Sequence, residues 1–428
     1  MIEFVEKVVL WYHLKKVIKK VYYMDNSKDK QIELSNKIYP IFYGLSSDLI
    51  FFIAINTLFL TNVKGLTSSE INFMTTVGVL VALVFYFLSH KIINKIGNLY
   101  SIRLGTLLLL ISSLLFTFST NLIFLCLAEI FYEVSFIFKS VDQVVLNNNL
   151  VYQNKENDFI KIKTKATTIY SIATMIATSV AGFLFNINPY LPMFICILIC
   201  FNNFIMAHYI CDVNFDNKEL ELKKKHKFNF NKIMIITILV YGLIYGTLDV
   251  CQTNDKLFIQ YELQDFLKTN SVTLVMSVIL FLSRVSRLIL NLIFGKIYDK
   301  FKNKTLYIIY FGLLISVSLF VVGKIFLTPM YSSIIMAVGF ILLLSLRDPT
   351  ENLLSDILLK NTNKEDKEKA ILYFQFARRL VVFMLSLLAT MIFVKYELIH
   401  LYIVFLTFVL LYIFLVLKLL SLINNKSK

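Results

Sequence analysis

Charged side chains are scarce in this sequence. Only 17% of its 428 residues are Asp, Glu, Lys or Arg, against about 25% in a soluble domain, which excludes an ordinary soluble globular protein. Cysteine is sparse too. Cys126, Cys196, Cys200, Cys211 and Cys251 all fall in or beside apolar segments, without C-x-x-C spacing. Neither a disulfide nor a metal site is expected from them. Arginine occurs six times against 37 lysines, and with abundant Ile, Asn, Phe and Tyr this bias points to an AT-rich bacterial genome. Three sequence signatures are missing: H-E-x-x-H, G-x-S-x-G and G-x-x-x-x-G-K-[ST]. Their absence removes the zinc-protease, serine-hydrolase and P-loop ATPase readings. Gly44-Leu-Ser-Ser-Asp48 lacks the closing glycine of the nucleophile elbow. No polar stretch is long enough for a separate catalytic domain, so no enzyme and no cofactor are expected.

Long apolar runs fill the chain instead; 57% of residues are hydrophobic. Runs of about 20 residues at about 1.5 Å each cover the hydrocarbon core of a bilayer. Spans are expected at 38–62, 70–93, 101–119, 121–147, 166–186, 190–211, 232–256, 271–295, 305–326, 331–359, 371–394 and 399–422. Lysines gather in alternate connections: Lys91 and Lys95, Lys155 to Lys165, Lys218 to Lys227, Lys296 to Lys304, and Lys360 to Lys369. The other connections carry only Lys64, Lys256, Lys268 and Lys395. By the positive-inside rule the span number is even and both termini are cytoplasmic. The net charge of +15 is thereby explained by a membrane surface, and nucleic acid is not expected as a partner.

The first residues do not form a signal peptide, because charge is spread through them. Phe4, Val8, Trp11, Leu14, Ile18, Val21 and Tyr22 recur at helical spacing opposite Glu6, His13, Lys16 and Lys20. An amphipathic segment on the membrane surface is expected over 1–36. The longest polar connection, 212–231, reads as a cytoplasmic hinge between six-helix bundles at 37–211 and 232–423, with a tail at 424–428. An internal repeat supports the division. Phe87-Leu-Ser-His-Lys-Ile-Ile-Asn-Lys-Ile-Gly97 matches Leu292-Ile-Phe-Gly-Lys-Ile-Tyr-Asp-Lys-Phe-Lys302 at an offset of 205, and Asp142 matches Asp348 at 206.

On these features the chain resembles a transporter of the major facilitator superfamily, over about residues 36 to 423. The family's G-x-x-x-D-[RK]-x-G loop is matched by Gly295, Asp299 and Lys300, with Lys302 in place of the last glycine. In the first half Lys95 and Gly97 fit, while His90 and Asn94 replace the first glycine and the aspartate; Arg103-Leu-Gly105 follows. The resemblance implies an all-α membrane protein, with twelve transmembrane helices in two pseudo-symmetric six-helix bundles. It also implies a cytoplasmic latch. Asp299 would meet Lys161, Lys163 or Lys165, and the loop of Asn94, which brings no charge, would face Arg378 or Arg379. The proline-glycine signature of the drug/proton antiporters is reduced in helix five to Ser179-Val-Ala-Gly182.

Ionisable groups in a bilayer cost at least about 2.5–3.5 kcal/mol each and normally face a cavity or a partner. Spans three, six, nine and twelve hold none except at their ends. Asp48, Glu129, Glu133, Asp249, Arg284, Arg287, Arg347, Asp348, Glu351, Arg378 and Arg379 fall on spans one, four, seven, eight, ten and eleven. The charged helices therefore suit the wall of an aqueous pathway. Glu129 and Glu133 share one helical face, and burial with mutual repulsion favours a protonated acid, so one of them, or Asp48, is a candidate proton carrier. Arg284 and Arg287 share a face that suits an anionic group. Arg347 and Glu351 have i,i+4 spacing for mutual neutralisation, and Arg378 and Arg379 read as structural residues near the cytoplasmic interface. The reading is a monomeric secondary active transporter in a bacterial cell membrane, in contact with lipid. It would move a small polar or amphiphilic solute by alternating access, with proton coupling. Multidrug efflux by the same fold and a non-transporting receptor or sensor are the alternatives.

Overall fold

A computed structural model describes residues 28–155, 158–213, 231–362 and 367–427. Among these the chain is almost entirely helical, with no strand. Helix α1 is broken, Lys28–Ser46 then Ile50–Leu58, and ends in a π-helical turn, Phe59–Val63. Next come α2 (Ser68–Ile96), α3 (Asn98–Phe118), a broken α4 (Leu122–Lys139 and Asp142–Tyr152), α5 (Asp158–Ile187) and α6 (Leu191–Ala207). The second half comprises α7 (Lys232–Gln264), α8 (Thr269–Phe301), α9 (Thr305–Phe326), a broken α10 (Pro329–Ser345 and Arg347–Lys360), α11 (Lys367–Lys395) and α12 (Leu398–Ser427).

Local chemistry sets these limits. Thr67 and Glu70 form a reciprocal capping box at the start of α2. The Asn231 and Asn121 side chains accept from Met234 N and Ile123 N at the starts of α7 and α4. Nine described stretches are long and apolar enough to cross a membrane. One of them, Thr269–Phe326, folds back through a 3₁₀ turn at Lys302–Lys304 and supplies two crossings. The 17-residue α6 and the charged α4 complete twelve. Large apolar side chains such as Ile123, Phe183, Leu198 and Phe414 are at least 60% exposed on the outside, as lipid contact requires.

Packing repeats at an offset of six helices. In the first half α1 packs on α5 and α6, α4 on α2 and α3, and α3 on α6; in the second, α7 packs on α11 and α12, α10 on α8 and α9, and α9 on α12. The halves meet chiefly through α2 against α11 and α5 against α8. The interruption of α4 at Ser140–Val141 recurs in α10 at Leu346, so Asp142 and Asp348 open equivalent second pieces. The α1 break has no counterpart in the continuous α7.

Several expected limits shift. Helix α1 begins at Lys28 rather than at 38, so the end of the expected surface segment belongs to it. Residues 1–27 and 214–230, which contain most of that segment and the hinge, lie outside the described residues. Helix α7 continues to Gln264, so Lys256, expected in a turn, lies inside a helix and is 1% exposed.

Candidate functional site

The two faces of the bundle differ. Lys28 and Ser427 mark one, called here the terminal face, and the opposite, distal face is closed by polar contacts between halves. Asn72 of α2 and Asn254 of α7 exchange amide hydrogen bonds of 3.0 and 3.2 Å. Lys256 Nζ donates to Asn56 Oδ1 at 2.5 Å and to the Ile53 carbonyl at 3.3 Å. Gln260 donates to Thr61 Oγ1 (2.7 Å), Ser68 and Tyr261 share a 3.1 Å bond, and Asn186 donates to the Asn270 carbonyl (3.0 Å). Gly182 of α5 makes a close approach possible: a Cβ there would fall 1.9 Å from Ser277 Oγ and 2.9 Å from the Thr273 carbonyl of α8.

Between the halves lie most of the expected intramembrane charges. Asp48 stands in the break of α1, where Oδ1 accepts from Tyr132 OH at 2.5 Å and Leu49 N at 2.9 Å. The break also frees the Ser46 carbonyl, which accepts from Lys139 of α4. Glu129 is 8% exposed and has Glu133 and Asp48 within electrostatic range. Glu133 pairs with Arg379 of the other half.

In the second half Asp249 serves two guanidiniums, Arg378 at 2.5 Å and Arg347 at 3.4 Å. Tyr245 lies between those arginines, with ring distances of 4.5 and 5.6 Å, a cation–π arrangement. Its hydroxyl accepts from Arg347 Nε at 3.0 Å and donates to Glu351 at 3.1 Å. Arg287 grips Asp348 with two nitrogens, and Asn291 donates to the same carboxylate at 2.5 Å. Arg284 is 6% exposed and faces a cleft against α5.

Three expectations change. Arg347 and Glu351 are joined through Tyr245 rather than directly, because Asp249 claims the guanidinium. Arg378 lies in the interior cluster about three turns into α11, not at the interface. Arg287 is already neutralised, so Arg284 and Arg287 do not offer two free charges.

Of the expected latch residues, Asn94, Lys95, Gly97, Gly295, Asp299 and Lys300 lie at the terminal ends of α2 and α8, whereas Arg378 and Arg379, expected to face the Asn94 loop, pair with Asp249 and Glu133 instead. Asp299 is 79% exposed and pairs with Lys302 just past the end of its own helix, while Lys163 donates to Gln143; the expected Asp299 contact with α5 is not made through Lys163. Lys95, Gly295 and Lys300 are exposed, and the side chain of Asn94 lies outside the described residues. Gly97 ends α2 with φ 86°, and Lys302, its partner in the repeat, ends α8 with φ 50°.

A family model described as Major Facilitator Superfamily matches residues 41–386. The chain belongs to the major facilitator superfamily. No curated protein matches its sequence. Among solved structures, the nucleoside transporter NupG is similar at 12% identity and a TM-score of 0.69, covering 91% of this chain and 98% of that one. A mutant of NupG aligns at 11% identity and a TM-score of 0.70, covering 91% and 99%. A bacterial homologue of the iron transporter ferroportin in an inward-facing state aligns at 13% identity and a TM-score of 0.61, covering 91% and 98%. At identities this low the likeness is one of fold.

Sequence reading missed Tyr132, Tyr245 and Lys256. A tyrosine in an aromatic-rich span carries no signal that its hydroxyl faces charge. The continuation Asn254-Asp-Lys256 through Gln264, polar yet unbroken by Gly or Pro, was the available sign that α7 runs on.

Proposed function

We propose that this superfamily member is a secondary active transporter that carries a small polar solute across a bacterial cell membrane. The observation that supports this most strongly is the asymmetry of the two faces. Cross-half hydrogen bonds gather at the distal face, whereas on the terminal face Asp299 pairs, among the described residues, with Lys302 of its own half and Lys163 with Gln143 of its own half. With both termini cytoplasmic, this arrangement is an inward-open state, in keeping with the similarity to an inward-facing ferroportin homologue. Rocking of the halves about the central charges would open the distal face and close the terminal one.

Protons are the proposed coupling ion. Glu129 is buried, and no cation pairs with it among the described residues. An unpaired charge there is costly in the absence of water or a cation. Access from alternate faces would let it take up and release a proton.

Single cysteines at Asn72 and Leu292, labelled in oriented vesicles with a membrane-impermeant maleimide, test alternating access. Their reactivities should vary inversely across conditions and variants that shift the conformation. Reactivities that vary independently, or an Asn72 cysteine labelled only from the cytoplasm, would overturn the reading.

A further inference from the structure

Arg284 lies near the middle of α8 and is 6% exposed. Every other arginine between the halves has a carboxylate: Arg287 has Asp348, Arg347 and Arg378 share Asp249, and Arg379 has Glu133. Among the described residues Arg284 has no ion-pair partner, and its buried Nε donates to nothing. The nearest charges include two of the same sign, Arg287 and Arg347. Asp48 is within electrostatic range and carries the opposite charge, but it forms no ion pair with Arg284; its Oδ1 accepts from Tyr132 and Leu49. A buried guanidinium without a direct ion pair is costly in a bilayer interior, and an arriving anion would relieve that cost.

The surroundings say what arrives. Arg284 lines a narrow cleft, about 20 Å³ in this structure, with Tyr170, Ser171 and Thr174 of α5 and with Arg287, Leu288 and Asn291 of α8. Arg287 and Asn291 are committed to Asp348. Ser171 and Thr174 donate to carbonyls of their own helix, Thr167 and Ser171, which leaves oxygen lone pairs facing the cleft. One wall therefore carries a single available positive charge, and the other carries hydroxyl acceptors.

We propose that Arg284 receives a single oxyanion group, a carboxylate or a phosphate ester, of a small organic solute whose polar remainder faces Tyr170, Ser171 and Thr174. The proposal rests on the transporter reading and narrows its substrate class. The planar guanidinium fork matches either oxyanion with paired N–H bonds. One unmatched charge fits one anionic group. A solute with several would bring its excess close to Asp48. Because the group bridges α5 and α8, which belong to different halves, its arrival would also act on their relative position.

The test uses the purified full chain in detergent and follows its unfolding temperature at constant ionic strength. The ligands are sodium lactate, sodium 4-aminobutyrate and sodium glycerol 3-phosphate, with lactamide, glycerol and sodium chloride as comparisons. At least one oxyanion should raise the unfolding temperature while its neutral counterpart and chloride do not. The carboxylate and phosphate arms show which group is recognised. Arg284→Gln should abolish the shift and, having lost an unpaired buried charge, should be at least as stable as the parent without ligand. Arg284→Lys should retain a weaker response, with affinity lowered roughly tenfold or more because the paired geometry is lost. An undiminished shift in Arg284→Gln, equal shifts from neutral compounds, or no shift from any oxyanion overturns the proposal. Inverse cysteine labelling with no anion response removes the substrate class alone. An Arg284-dependent anion response without inverse labelling removes the transport reading and leaves an anion site.

Discussion

Arg379 of α11 donates to the Glu133 carboxylate of α4, and this ion pair joins the two halves within the membrane. The other interior arginines with a carboxylate find it inside their own half. Removing one member of a buried pair leaves the other charge uncompensated, at a cost of about 3–5 kcal/mol. Glu133→Gln and Arg379→Gln should each lower the unfolding temperature. The double substitution should cost clearly less than their sum, and an additive cycle would show that the pair is not coupled.

Asp249 neutralises Arg347 and Arg378 at once. Asp249→Asn should therefore be more damaging than Glu133→Gln, because it strands two guanidiniums. Unfolding curves of the two variants under the same conditions provide the comparison. A smaller effect for Asp249→Asn would mean that Glu351, reached through Tyr245, compensates the cluster.

Gly182 is where α5 and α8 approach closely. Gly182→Val should separate them at a cost of about 1–3 kcal/mol from overpacking. Ser277→Gly in the same chain should restore only part, since the Thr273 carbonyl would still obstruct the added carbon. Complete rescue would place the obstruction in the serine side chain alone.

Lys302 holds φ 50° at the end of α8, a backbone region that side chains with a Cβ disfavour. Lys302→Gly should stabilise the chain by about 1 kcal/mol. Gly97→Lys should be unfavourable by a similar amount. Loss of stability in Lys302→Gly would mean that the pairing with Asp299 outweighs the backbone gain.

Glu129→Gln should separate movement of solute from movement of protons. In proteoliposomes, exchange of a transported solute across the membrane should persist while accumulation driven by a pH gradient disappears. Gradient-driven accumulation equal to the parent would remove Glu129 as the carrier.

The architecture was legible because lipid imposes a coarse requirement, long apolar runs, and the lysine-rich connections fall at every second turn between them. The 205-residue offset was visible in Lys91–Lys95 against Lys296–Lys300, and it reappears as turns of positive φ at Gly97 and Lys302. Pair identities were not legible. Arg347 stands four residues from Glu351, so local spacing favoured the wrong partner; Asp249 wins through an α7–α10 contact that spacing along one helix cannot reveal. Lys256 was misplaced for a related reason. A polar helix end that docks across the halves reads, in isolation, like a connection.

The break at Ser47–Leu49 has one more consequence. An intact helix spends its carbonyls on itself, whereas this interruption releases one at Ser46 that Lys139 of α4 takes up. The two segments of α1 can then tilt separately, the lower anchored to α4 and the upper held to α7 by Lys256. A displacement at the distal end need not travel down α1 as through a rigid rod: it can be absorbed beside Asp48, turning that carboxylate as the joint bends.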